Sequence, residues 1–187
     1  MRYGLEIREG SIPGLKVLDR GVVSDHRGFL ERLFSAHEFR PLMGDRPIAQ
    51  VNRSLTQRRG TVRGMHFQSP PHAELKLVTC LRGRVFDVAV DVRHDSATFL
   101  RWHAELLDAS EHTSLLIPEG FAHGFQALSD DCEMLYFHTA AYEPSAEGGL
   151  NPKDPGLSIA WPEEVVELSA RDSSFPLIAS GFDGVHL

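Results

Sequence analysis

Between turn residues spaced roughly eight to fifteen positions apart, this chain sets short runs of β-branched and aromatic residues. That rhythm predicts strands of an antiparallel sandwich or barrel rather than helices. In 85–92, VFDVAVDV, the residues Phe86, Val88, Val90 and Val92 alternate with Asp87, Ala89 and Asp91. Period two predicts one packed and one polar face. The run 75–81, LKLVTCL, is expected to form a hairpin with it through Arg82 and Gly83, since glycine accepts the positive φ of a primed turn. Further strands are expected at 60–68, 99–107, 113–117, 123–127 and 132–140. The 3.6-residue period is scarce. It predicts a short helix over 35–42 with Ser35 as its N-cap, and a helical turn after Ser169. No repeat, linker or low-complexity tract divides the 187 residues, so 1–187 reads as a single domain.

Composition agrees with an ordinary globule. Hydrophobic residues make up 42% and charged residues 24%, enough to bury a core without staples. A net charge of −7, with no basic cluster longer than Arg58–Arg59, argues against a nucleic-acid partner. Local arginines still leave room for a small anionic ligand. Cys80 and Cys132 both lie in apolar runs, which predicts buried, reduced thiols. The first ten residues carry charges where a secretory leader needs an apolar core, and no apolar run approaches membrane length. The expectation is a cytoplasmic protein without a membrane partner, in which the Asn52-Arg53-Ser54 sequon carries no glycan.

Candidate chemistry gathers in two places. The run IPEGFAHGF contains Pro118-x-Gly120-x-x-His123, which resembles a motif of the cupin superfamily. With the strand rhythm, it makes an all-β, cupin-like double-stranded β-helix (a jelly roll) with short terminal helices the expected fold. Metal-binding cupins bring a His-x-His pair, whereas here His66 is followed by Phe67 and Gln68. Only His72 and Glu74, beside Pro70-Pro71, remain as substitutes, so no metal is expected. Acid–base chemistry fits better. His66 has the side chain that exchanges a proton near neutral pH. Lys76 and Arg63 supply fixed positive charge for a developing oxyanion, and Tyr136 is a candidate acid. Singly, each is more ordinary: a satisfied barrel histidine, a surface lysine, a core tyrosine with a bonded hydroxyl. Their joint occurrence raises the functional reading. Strict alternation would turn Arg63 and His66 to opposite faces of one strand. Gly64 between them is therefore expected to host a bulge or strong twist that re-aims one side chain.

Several longer stretches carry a closer resemblance. DHRGFLERLF, QVNRSLTQRRGTVRGMHFQ, LKLVTCLRGRVFDVAVDVR, LLIPEGFAHGFQALSDD, LYFHTAAYEPSAEGGL, KDPGLSIAWP and LSARD follow one another from Asp25 to Asp172. In this order they resemble the dTDP-4-dehydrorhamnose 3,5-epimerases. The resemblance implies His66 as general base, Asp172 as its partner carboxylate, Tyr136 as general acid, and Lys76 as the group that stabilises an enolate oxygen. It implies Arg63 and Arg27 on the diphosphate, with Gln50, Asn52 and His123 lining the nucleotide and sugar site. Arg27 would come from a neighbouring subunit, making the active unit a homodimer. The substrate would be a dTDP-linked 4-keto-6-deoxyhexose of deoxysugar biosynthesis, and no cofactor would be required.

The chain also departs from the pattern. Where the family has Phe-x-Glu after Asp-x-Arg-Gly, this chain has Leu30 and Arg32, with the acid at Glu31, which leaves Glu31 and Arg32 as alternative nucleobase contacts. Asn151-Pro152, Phe137 and Arg171 also replace customary residues. These changes surround the central four residues and favour an altered sugar or inversion at one centre. The rival readings are a non-catalytic nucleotide-sugar binder and a metal-dependent cupin.

Overall fold

The computed structural model describes residues 4–187; residues 1–3, the start of the charged stretch read against a secretory leader, lie outside the described residues. The strands are β1 (Leu5–Glu9), β2 (Lys16–Arg20), β3 (Val22–Asp25), β4 (Gly28–Glu31), β5 (Gln50–Thr56), β6 (Val62–Gln68) and β7 (Lys76–Arg82). They continue as β8 (Arg84–Asp91), β9 (Trp102–Asp108), β10 (Thr113–Ile117), β11 (Phe121–Ala127), β12 (Cys132–His138) and β13 (Glu147–Gly149). Two short helices, α1 (Ala36–Met43) and α2 (Ala170–Ser174), complete the regular elements used below.

The strands form two antiparallel sheets, ordered β1-β2-β10-β7-β12-β5 and β13-β6-β11-β8-β9, with β3 and β4 as a separate hairpin. This is the cupin-like jelly roll. Val17, Val78, Leu115 and Met134 from one sheet pack between the layers on Ala89, Leu107, Phe121 and Phe125 from the other. A second core covers the outer face of the five-stranded sheet, where Met65, Val88, Val90 and Ala122 meet Leu157 and Val185 from the chain's last third. A third sets Phe39 and Met43 of α1 against Leu18, Leu77 and Leu116. Each sheet is thus covered over much of both faces, which is why every residue of β11 is buried.

Three expectations are corrected. β7 and β8 do not pair: they belong to different sheets, and Gly83 (φ +74°) turns the corner between them. A side chain at Gly83 would run into Ser129 and Cys132. The supposedly polar face of β8 points into the sandwich, where Asp87 and Asp91 are fully buried, and the Val88 face lies beneath the second core. The strand expected over 99–107 begins only at Trp102, because Leu100 (φ +64°) turns the chain back to Asp91.

The first helix lies one residue later than expected. Ser35 occupies the N-cap with extended backbone, but its hydroxyl makes no capping bond. Both cysteines are buried and unpaired, and burial pushes the Cys80 thiol up to about 12. Among the described residues no helix is long and apolar enough to cross a membrane.

Candidate active site

The pairing of β6 with β11 slips at Gly64. His66 lies opposite His123 but Arg63 lies opposite Phe125, so β6 carries one extra residue. The extra residue restores Arg63 and His66 to one face, the inward one, as the glycine between them foretold. Gly64 (φ +119°) is the residue that permits it. A Cβ there would stand 2.5 Å from the Gly124 Cα and 2.7 Å from the His123 carbonyl oxygen.

At the resulting mouth His66 Nε2 donates to Asp172 Oδ1 at 2.8 Å, across 106 residues of chain. The local fold aims that carboxylate. Ser169 caps α2 by accepting from the Asp172 backbone N–H at 3.0 Å, which fixes the first turn. Asp172 Oδ2 accepts from the Gly64 N–H at 3.3 Å. Burial alone would raise the Asp172 carboxyl, but the hydrogen bond and charge of His66, with the Gly64 and Ser169 contacts, outweigh it and hold it below its ordinary value. A carboxylate on Nε2 leaves Nδ1 as the ring nitrogen with a lone pair.

Lys76 is 8% exposed and lies beside the same imidazole, its ammonium donating to the His66 carbonyl at 3.2 Å and pairing with Glu74 at 3.1 Å. Glu74 also accepts from His138 Nδ1 at 2.7 Å. Its carboxyl would rise on burial, yet His138 and Lys76 together pull it below the ordinary range. With its oxygens on Lys76 and His138, Glu74 is a counter-ion here and not the metal ligand weighed from sequence. A cavity of about 530 Å³ opens over these groups, lined by Gln50, Asn52, His66, Gln68, Glu74, Lys76, His138, Tyr142 and Glu147.

Tyr136 and His123 form the next layer. The Tyr136 hydroxyl bonds Ser54 Oγ at 3.0 Å, and its ring lies edge-on to His123 and stacked on His138. Burial, only partly offset by Ser54, pushes the phenol well above its ordinary value, so it stays protonated. His123 Nε2 donates to the fully buried Asp87 at 2.8 Å. Arg63 reaches across to β5, donating to Thr56 Oγ1 at 2.9 Å and to the Leu55 carbonyl.

The structure does not bring Arg27 or Glu31 to this cavity. Arg27 sits at the tip of the β3–β4 hairpin, 78% exposed and paired with Asp25 of its own turn. Glu31 is held by Arg20 at 2.6 Å and lies 3.3 Å from His112. The cause is register: Leu30 and Arg32 bracket the acid, and Glu31 faces β2 and β10 instead of the mouth.

Sequence reading gave Arg171 only as a departure from the family pattern and did not single out Tyr142, Glu147 or His138. Arg171 Nη2 stands 3.0 Å from His66 Nε2 and 3.5 Å from Nδ1, with its other nitrogen 3.0 Å from Glu147. Its place next to Asp172 in LSARD was the available signal. Tyr142 is half-exposed at the rim and donates to Glu147 at 2.8 Å. Neither Glu147 nor His138 stands in a recognisable spacing, and nothing local could have found them.

Chemically, the site offers an imidazole oriented by Asp172 and an ammonium at a cavity of about 530 Å³, with a protonated phenol in the layer behind it.

Comparison with known proteins agrees with that chemistry. Residues 9–180 match the family model of dTDP-4-dehydrorhamnose 3,5-epimerase. The protein of that name from Salmonella typhimurium is 40% identical over 169 residues, covering 90% of this chain and 92% of its own. The dTDP-4-dehydro-6-deoxyglucose 3-epimerase of Streptomyces bikiniensis is 38% identical over 172 residues, covering 91% and 87%. A crystal structure of the Legionella pneumophila dTDP-6-deoxy-D-glucose-3,5-epimerase, in complex with dTDP-4-keto-L-rhamnose, superposes with a TM-score of 0.92 at 36% identity. It covers 98% of this chain and 99% of that one. With the family model matching residues 9–180 and a relative of that name 40% identical over 90% of the chain, this chain belongs to the dTDP-4-dehydrorhamnose 3,5-epimerase family.

Proposed function

We propose that this protein epimerises a dTDP-linked 4-keto-6-deoxyhexose by proton removal and return at the carbons flanking the ketone, with His66 as base and Tyr136 as acid. The observation that carries the reading is the 2.8 Å His66–Asp172 pair opening into a cavity that also holds Lys76. A hydrogen beside a ketone is weakly acidic, so its removal needs a base and a stabilised enolate together. His66 Nδ1 takes the proton, and Asp172 steadies the imidazolium that forms. The enolate oxygen meets the Lys76 ammonium. Tyr136, kept protonated by burial, returns a proton to the opposite face, and that inverts the centre. Both the ketone and the electron sink reside in the substrate, so the reading requires no cofactor or metal.

Gln50, Asn52 and Arg63 border the sugar and diphosphate in this reading, His123 holds the ring of Tyr136, and the exposed face of Tyr142 suits stacking on a nucleobase. The chain acts as one domain and, in the cytoplasm, as a homodimer. Support for the dimer comes from the β3–β4 hairpin, which carries Arg27 beside Phe29 and Leu30, 63% and 61% exposed, on an arm that pairs with no other strand among the described residues. A second reading, inversion at a single carbon, is favoured by the likeness to the 3-epimerase and by the Arg171 guanidinium crowding His66.

Proton NMR of the keto sugar with the protein in deuterated water tests both readings. Exchange with inversion at carbons 3 and 5 supports the first, and exchange at one carbon alone supports the second. No label at either carbon overturns both in favour of a nucleotide-sugar binder.

A further inference from the structure

We propose that His94, Asp183 and His186 form a binding site for a divalent transition-metal ion such as Zn²⁺, clipping residues 182–187 onto the turn that follows β8. One ligand atom from each of the three side chains lies within 4.8 Å of the others. They come from two segments that are 89 residues apart and are held together by backbone. Val185 pairs with Arg93 as a β-bridge, the Val185 N–H donates to the Val92 carbonyl at 2.6 Å, and the His94 N–H donates to the Val185 carbonyl at 3.0 Å. Gly184 (φ +100°) lets the strands close, since a Cβ there would stand 2.8 Å from the Val92 carbonyl and 2.9 Å from the His94 Cα. The backbone on either side of it therefore brings the three side chains together.

The tautomer favours an ion. His94 Nδ1 lies 2.6 Å from the Asp183 backbone carbonyl, which only accepts, so Nδ1 carries the hydrogen and Nε2 presents a lone pair. A backbone carbonyl on one ring nitrogen is the usual outer support of a metal-ligating imidazole. The two rings stand 4.1 Å apart, tilted by 35°. The local charge agrees: the carboxylate of Asp95, 96% exposed, lies 3.8 Å from His94 Nε2. The neighbouring Arg93 is already neutralised by the buried Asp91.

Two imidazoles and a carboxylate suit Zn²⁺, Ni²⁺ or Cu²⁺ better than Mg²⁺ or Ca²⁺. Ligand bonds of about 2.1 Å set tetrahedral donors about 3.4 Å apart, so the three side chains close by about an ångström on binding, which their exposure allows. This site shares no lining residue with the cavity over His66. Its effect is structural. Val185 plugs the outer core, and Phe182 packs on Phe67, the residue after His66.

The test titrates ZnCl₂ into full-length protein stripped with EDTA and dialysed, using calorimetry and metal analysis. One equivalent at micromolar Kd or tighter is expected, weakened at least tenfold in His94→Ala, His186→Gln and Asp183→Asn. The thermal midpoint of the parent is expected to rise by roughly 5–10 °C at a hundredfold excess over Kd, with no rise in His186→Gln. Less than about 0.2 equivalents bound overturns the proposal. So does unchanged affinity in a folded His94→Ala/His186→Gln double variant, which would place the zinc elsewhere among the chain's 10 histidines.

Discussion

Asp172 decides which nitrogen of His66 is basic, and its loss separates orientation from chemistry. Asp172→Asn keeps the shape but presents an amide whose NH₂ favours the wrong tautomer. The turnover rate is expected to fall by about 10²–10⁴-fold with little change in KM, as for other orienting carboxylates. His66→Ala is expected to abolish deuterium exchange at every centre. Tyr136→Phe is expected to leave exchange in place while impairing formation of inverted product, because proton removal does not pass through the phenol. Proton NMR in deuterated water reads all three variants, and full activity in His66→Ala would end the assignment. Lys76 cannot be changed alone without leaving Glu74 buried with only His138 as partner, so its loss affects stability and chemistry together.

At the scale of elements, the site depends on one slipped residue in β6. Without it Arg63 or His66 would face the outer core beside Met65 and Phe67. Gly64→Ala is expected to destabilise the fold by about 2–4 kcal/mol, since a methyl group there meets the Gly124 backbone and the positive φ is strained. Gly4→Ala, with open space around it, is expected to change stability by less than about 0.5 kcal/mol. Urea unfolding compares the two, and equal midpoints would refute the close-packing account. Two elements legible as strands from their period were misassigned as partners. Alternation in β7 and β8 reveals which residues share a face but is silent on which sheet the next strand joins, and a glycine turn serves a hairpin and a corner equally well.

For the molecule as a whole, acid sensitivity follows from two partnered carboxylates and assembly from an exposed apolar arm. Asp172 and Glu74 both have folded carboxyl pKa values below the ordinary range. Their contribution is complete above the unfolded value near 4 and is lost as pH falls through the lower folded value. Stability from these pairs is expected to be level from about pH 7 to 5 and to drop below about pH 4, with Glu74→Gln showing a shallower drop. Urea midpoints across pH measure it. The exposed Phe29–Leu30 arm is expected to bind a second copy, so Phe29→Asp with Leu30→Asp should shift the protein from dimer to monomer in light scattering. A monomeric parent would remove the dimer from the proposal.

The sequence by itself determined the fold class and seven of the strands to within three residues, and, through a run of family-like stretches, nominated the four residues proposed for catalysis. Local periodicity records which side chains alternate, and glycine records where the chain must turn or slip; both are properties of a few neighbouring residues. Only the tertiary structure decided that β7 and β8 part company, that the polar-looking face of β8 is interior, that Glu31 faces Arg20, that Arg171 crowds the imidazole, and that Glu74 joins Lys76 to His138. Those outcomes follow from how distant strands close over a shared core. The free energy that selects that closure is spread over many buried contacts, and no short stretch of chain contains it.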